Sequence, residues 1–212
     1  MTTTEDKIRM VMADDHKALV EGMVAVILTY DDVEMVGTAN STKDALHLCR
    51  LARPDALLLD IELPGHGLEI GPEVLALPHP PRVIYFSGYA NPVYVLRSIA
   101  LGASGYLLKE ESTADVLDAI RRVVREGRNA YSAPVRRIAA AMNVGGVSRR
   151  RKDPKLGDQE RRVVRLHARG LNFKQVGQEL GIAIGTVRKH WERAIHKLGL
   201  RPMPRGFGPV VD

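Results

Sequence analysis

Thiols and long apolar runs are what this 212-residue chain has least of. Its one cysteine, Cys49, cannot close an internal disulfide, which fits a reducing, cytoplasmic setting. Cys49 lies in the helix-like stretch ALHLCRLA, where a small core hydrophobe is the expected role rather than a reactive thiol. With that cysteine far from the C-terminal histidines His190 and His196, a zinc site is not expected there. No apolar run approaches the roughly 18 residues that a membrane-crossing helix needs. The opening MTTTEDKIRM carries acids and lacks the apolar stretch and small-residue cleavage site of a secretory leader.

Charge of one sign is also scarce, but locally. The chain as a whole carries +6, yet Ser148–Arg205 hold 16 Lys/Arg against 5 Asp/Glu, or +11, while residues 1–147 hold 15 against 19, or −4. An acidic first part and a basic second part predict two domains, the second facing a polyanion.

In the first part, short apolar runs alternate with helical periods. Ile8–Ala13, Val33–Ala39, Ala56–Asp60, Arg82–Ser87 and Ser104–Leu108 read as strands, near-continuously apolar as in a parallel sheet covered on both faces. Amphipathic stretches fall at about Leu19–Leu28, Thr42–Leu51, Pro92–Ala100 and Thr113–Arg125. Between Pro64 and strand four the chain reads GHGLEIGPEVLAL, so glycines and a proline predict a short or displaced third helix, about Glu73–Leu77. The fold class expected is α/β: a doubly wound, five-stranded parallel sheet of the flavodoxin-like kind, with a small all-α domain after it.

In such sheets the ligand site lies at the carboxyl ends of the strands. Strand one ends in Asp14-Asp15, strand three in Asp60 and strand four in Ser87, while strand five runs into Lys109. Any one of these alone is a turn former, a cap or a surface lysine; all of them at strand ends is a joint signal. Clustered carboxylates repel unless a cation joins them, and oxygen-only ligands suit Mg²⁺. An Asp carboxylate there is able to act as a nucleophile toward a phosphoryl group, with the metal and a lysine stabilising the transferred charge.

The pieces MADDH, LLLDIELPG, YFSG and GASGYLLKE resemble the receiver domains of response regulators over about residues 7–127. That resemblance implies Asp60 as phosphoacceptor. It implies a Mg²⁺ site of Asp15 as direct ligand, Asp14 assisting, Asp60 and the main-chain carbonyl of Glu62. It also implies Ser87 as switch hydroxyl, Lys109 as phosphate partner and Tyr106 as a switch aromatic that turns inward on phosphorylation. Read by itself, Tyr106 is equally an ordinary half-buried tyrosine. Gly88 leaves room for the phosphoryl group. The loop after Pro64 departs from the family pattern.

The second part begins with a helical piece, about Pro134–Met142, and NVGGVSRRRKDPK, a flexible basic linker by composition. Helices are then expected at Asp158–Ala168, after an Asn172 N-cap with Gln175, and at Ile184–Leu198, the last two in a helix-turn-helix arrangement. Trp191 is expected in the core of this bundle rather than as a stacking platform. Leu156 to about Arg201 resembles the LuxR-type helix-turn-helix, through Gln159-Glu160-Arg161, Gly185-Thr186-Val187 and Lys197-Leu198-Gly199 among others. The resemblance makes Thr186, Arg188, Lys189 and the Glu192-Arg193 region candidate DNA contacts, Glu192 either accepting from cytosine or repelling phosphate, and Lys174 a candidate backbone contact. Ala183 stands where that family usually places a Ser or Thr cap, and RPMPRGFGPVVD makes a fourth, dimerising helix improbable.

The organisation expected is a receiver over 1–127, a helical and basic linker over 128–155, a helix-turn-helix domain over 156–203 and a tail over 204–212. The function implied is that of a two-component response regulator of the NarL/FixJ family, not an enzyme. Its partners would be a sensor histidine kinase, operator DNA of two-fold half-sites and a second copy of the chain. The alternative is a phosphorylation-independent DNA-binding regulator with an atypical receiver. A phosphatase of the haloacid-dehalogenase kind is disfavoured, because its nucleophile ends the first strand with a second acid two residues on.

Overall fold

A computed structural model describes residues 7–148 and 153–200, and the chain divides into two compact units. One comprises the chain up to Tyr89 together with Leu101–Ser132, the other Ala90–Ala100 and the chain from Ala133 onward.

The first unit is built on β1 (Ile8–Ala13), α1 (Lys17–Ile27), β2 (Val33–Ala39), α2 (Thr42–Ala52), β3 (Ala56–Asp60), α3 (Gly67–Leu75) and β4 (Arg82–Ser87). After α4 (Pro92–Ala100), which belongs to the second unit, come β5 (Gly105–Leu108), α5 (Thr113–Glu126) and β6 (Ala130–Tyr131). All strands are parallel, in the order β2-β1-β3-β4-β5-β6, the order of a doubly wound sheet. β3 and β5 are buried throughout, and Met10, Met12, Leu58, Ile84, Phe86 and Leu107 form the core with α1 and α5. Two helices start on the same device: Ser41 and Ser112 each accept from the backbone N–H three residues on, at 3.2 Å.

Two expectations are corrected. The sheet has six strands rather than five: β6 pairs Ala130 with Gly105 and Tyr131 with Tyr106. Two residues show no period in a sequence, and this strand is held by its partner. Ser132 N–H donates to the Tyr106 carbonyl at 3.1 Å, and Ser132 Oγ accepts from Leu108 N–H at 2.9 Å.

The third helix runs from Gly67, six residues before the expected start. The glycines that weaken it locally are required by packing. A β-carbon on Gly67 would collide with the Asp60 carbonyl oxygen, and one on Gly71 with the Tyr85 hydroxyl. Pro72, inside the helix, has no N–H to give the Leu68 carbonyl four residues back. The Tyr85 hydroxyl donates to that carbonyl instead, at 3.1 Å. Gly71 makes room for the phenol, and the phenol supplies the donor that Pro72 removes.

The second unit is helical: α4, α6 (Ala133–Met142), α7 (Asp158–Ala168), α8 (Phe173–Leu180) and α9 (Ile184–Leu198). α4 packs on α6 and α7, and α7, α8 and α9 pack on one another. Val163, Leu166, Val176 and Val187 form the core, with Phe173 and Trp191 against it. Trp191 stands edge-on to His167 at 5.1 Å, in the packing role expected of it. Asn172 and Gln175 make the reciprocal cap read from the sequence, at 2.9 and 2.8 Å. Asp153, taken as part of a flexible stretch, is buried and gripped by the two terminal guanidinium nitrogens of Arg136 at 3.0 and 3.1 Å. The basic residues Arg149–Lys152 and the segment after Leu200, on which the linker and fourth-helix expectations fall, lie outside the described residues.

Candidate functional site

The parallel topology brings Asp14-Asp15, Asp60, Ser87 and Lys109 to the carboxyl edge of neighbouring strands β1, β3, β4 and β5. Lys109 Nζ lies 2.7 Å from Asp14 Oδ2 and 3.0 Å from Asp60 Oδ2, both carboxylates being buried. Asp60 Oδ1 accepts the backbone N–H of Glu62 at 3.0 Å. Each oxygen of Asp60 therefore has its own donor, one from a backbone turn and one from an ammonium.

The carboxylate pair is divided between environments: Asp14 is fully buried while the Asp15 side chain is 41% exposed. His16, which was not singled out from the sequence, joins them. Its Nδ1 lies 3.1 Å from Asp14 Oδ1 and 3.0 Å from Asp15 Oδ1. Its place directly after the acidic pair was the available signal. One ligand atom each from Asp14, Asp15, His16 and Asp60 lies within 4.8 Å of the others.

The electrostatics show an excess of negative charge. Burial pushes the Asp60 carboxyl above the usual carboxylate range, against the Glu62 N–H and Lys109, and the charge of Asp14 adds to the rise. Glu62 is raised by burial and then by Asp60. Burial alone would lower Lys109, but its hydrogen bond to Asp14 and the charge of Asp60 hold it above its ordinary value. One ammonium thus faces a cluster of carboxylates. Buried Asp14 Oδ2 has the Lys109 ammonium at 2.7 Å but, among the described residues, no partner in hydrogen-bond geometry. Oxygen donors of this number and a residual negative charge fit a hard divalent cation.

The candidate switch residues are tied to this edge. Lys109 N–H donates to the Ser87 carbonyl at 2.9 Å, and Ser87 Oγ accepts from Tyr89 N–H at 3.2 Å. A β-carbon at Gly88 would meet nothing within 4 Å beyond its chain neighbours, so the space at residue 88 is open. Tyr106 is not half-buried: it is inward, 0% exposed, with its hydroxyl donating to the Tyr89 carbonyl at 2.8 Å.

In the helical unit Thr186, Arg188, Lys189, Glu192 and Arg193 are exposed on α9 and Lys174 on α8, while Val187, Ala194 and Leu198 face the core. Gly177 permits the tight turn, since a β-carbon there would lie 2.8 Å from the Ile182 carbonyl oxygen. The start of α7 is fastened to the end of α9: Glu160 accepts from Gly157 N–H at 2.6 Å and pairs with Lys197 at 2.8 Å. Ala183 makes no side-chain cap for α9.

Comparison with known proteins also divides the chain in two, but with Ala90–Ala100 inside the first part. Residues 10–121 match the family model described as response regulator receiver domain, and residues 154–199 match that of Sigma-70, region 4. The chain is 31% identical over 202 residues to the probable transcriptional regulatory protein NarL of Mycobacterium tuberculosis, covering 92% of this chain and 89% of that one. It is 31% identical over 195 residues to the transcriptional regulatory protein DesR of Bacillus subtilis, covering 92% of both. RcsB of Salmonella enterica serovar Typhimurium, solved bound to a promoter, shares the fold with a TM-score of 0.61 at 20% identity, over 92% of this chain and 94% of that one. The chain belongs to the response regulator family, as a NarL-type two-component transcription regulator in which a receiver domain is joined to a LuxR-type helix-turn-helix.

Proposed function

We propose that a sensor histidine kinase transfers a phosphoryl group to Asp60, and that the state of Asp60 controls sequence-specific binding of the helix-turn-helix to operator DNA. The observation that carries the reading is the buried contact of Lys109 with both Asp14 and Asp60 at the sheet edge. In the transfer, a carboxylate oxygen of Asp60 attacks phosphorus as the bond to the kinase imidazole nitrogen breaks. Glu62 N–H orients the nucleophile through its other oxygen, and Lys109 is placed to follow the new negative charge onto the phosphoryl oxygens. Asp14, Asp15, Asp60 and the Glu62 carbonyl are the residues that would hold Mg²⁺, which when bound neutralises carboxylate and phosphoryl charge. His16 stands beside them as a further group able to interact with that ion.

The readout begins at Ser87. A hydroxyl that turns from Tyr89 N–H toward a phosphoryl oxygen frees the Ser87–Tyr89 segment, whose far end Tyr106 holds through the Tyr89 carbonyl. α4 begins three residues after Tyr89 and is packed with α6 and α7, so the displacement passes to the helical unit along the chain itself. Thr186, Arg188, Lys189, Glu192 and Arg193 then read base edges in the major groove, with Lys174 on a phosphate. A second copy reading the other half of a two-fold operator completes the proposal, which also places the protein in the cytoplasm with its DNA.

Intact-mass analysis after incubation with acetyl phosphate and Mg²⁺ tests it. A gain of roughly 80 Da, the mass of one phosphoryl group, is expected in the native chain and lost in Asp60→Asn. No gain with either acetyl phosphate or a histidine kinase would overturn the phosphorylation step and leave the phosphorylation-independent regulator standing.

A further inference from the structure

Ile184 is the first residue of α9 and is 46% exposed, the one large hydrophobic side chain left that open among the described residues of the helical unit. The core does not require it: α9 is anchored by Val187, Ala194 and Leu198, and the neighbouring Ile182 already packs against the cluster. The residues beside it offer no side-chain polar group. Ala183 makes no cap, and a side chain at Gly185 would meet nothing within 4 Å. The entry to the helix at Ala183–Gly185 is therefore small and open except for one branched aliphatic group.

Arg188 lies one turn on, on the same flank by the four-residue spacing, and is exposed. Four residues advance about 6 Å along a helix axis, less than two base-pair steps at about 3.4 Å each. In the major groove the thymine C5-methyl is the one apolar feature that a base pair presents, and apolar side chains read it. An isoleucine at the leading edge of a basic recognition helix matches that chemistry, while Thr186, Arg188 and Lys189 supply the polar and charged contacts around it.

We propose that Ile184 is a specificity-determining residue that reads a thymine methyl group within two base pairs of the base contacted by Arg188. The inference rests on the DNA-binding reading above and deepens it by naming a base. Exposure at Ile184 predicts that Ile184→Ala folds normally, which its thermal melt checks.

The test starts with selection of duplexes from a random library by the full chain, with and without acetyl phosphate. Each thymine of the selected half-site is then replaced by deoxyuridine, which removes only the methyl group. One position per half-site is expected to weaken binding about fourfold, the effect of losing one buried methyl contact. Ile184→Ala is expected to bind the thymine and uracil duplexes equally. Retention of the full methyl effect in Ile184→Ala, or no sensitive position in the native chain, would overturn the assignment while leaving DNA binding intact. Enrichment of no sequence at all would remove the DNA-binding reading itself, and the assignment with it. Equal binding of every duplex by Ile184→Ala and the native chain would likewise overturn it.

Discussion

The two units place their chemistry in opposite ways. In the sheet unit the candidate reactive groups are buried side by side: Asp14 and Asp60 have side chains at most 1% exposed, with Lys109 between them. In the helical unit every candidate DNA contact is exposed, and the buried face of α9 is aliphatic. A site for small-group transfer gains from low dielectric and fixed donors, which only convergence of several strands supplies. A surface for a polyanion gains from charges standing in water along one helix, which a single segment supplies. The sheet unit accordingly rests on close tertiary approach, the helical unit on local caps and the ion pairs of Glu160 with Lys197 and Asp153 with Arg136.

That contrast predicts larger losses from small changes in the sheet unit. The largest is expected of Gly67→Ala, whose added carbon meets the Asp60 carbonyl. Chemical denaturation is expected to show a loss of about 3 kcal/mol, the upper end for overpacking, together with slower phosphoryl uptake because the Asp60 turn is displaced. A loss under about 1 kcal/mol, below the usual range for overpacking, would show that the loop yields and would break the comparison.

Next is Tyr85→Phe, which leaves the Leu68 carbonyl without the hydroxyl donor that stands in for the Pro72 N–H. The expected loss is about 2 kcal/mol, the cost of orphaning a buried acceptor. Combining Tyr85→Phe with Pro72→Ala restores a backbone donor, and should recover much of it in the same denaturation measurement.

A smaller effect is expected of Glu160→Gln in the helical unit. Burial opposes ionisation of Glu160, but Lys197 and the Gly157 N–H outweigh it and hold the carboxyl below its ordinary value. A lowered folded-state value means stability present above the unfolded value, about 4.3, and lost as pH falls through the folded one. With Lys197 44% exposed, the pair contributes about 1 kcal/mol at neutral pH. The variant should melt lower at pH 7 and show a flatter stability profile below pH 5, by circular dichroism. The smallest effect is a gain: Ala183→Ser supplies the missing cap of α9 and should raise stability by about 0.5 kcal/mol, read as a higher melting temperature.

Much of the site was legible because it sits on regular elements. The acids end apolar runs, and parallel strands carry their ends to one edge whatever their side chains do. The exposed face of α9 was legible because a helix fixes spacing locally. The start of α3 was not, since Gly67, Gly71 and Pro72 weaken a helix in isolation and make sense only against Asp60 and Tyr85. Nor was β6, whose two residues are a strand only beside β5. His16 carried no signal beyond adjacency, because its ring position depends on how the β1–α1 turn folds back on Asp14 and Asp15. Cys49, read as a core residue, is buried, and burial pushes its thiol up to about 11.

The amino-acid sequence by itself determined the alternation of strands and helices, the acidic and basic halves, and which carboxylate, hydroxyl and ammonium stand at strand ends. These follow from periodicity and short-range order, which each segment carries within itself. Only the tertiary structure decided that Lys109 bridges Asp14 and Asp60, that Tyr106 turns inward onto Tyr89, and that Tyr85 completes a proline-broken helix. Those contacts join residues far apart in the chain, and their donors and acceptors find one another only when packing removes the water that would otherwise serve each of them.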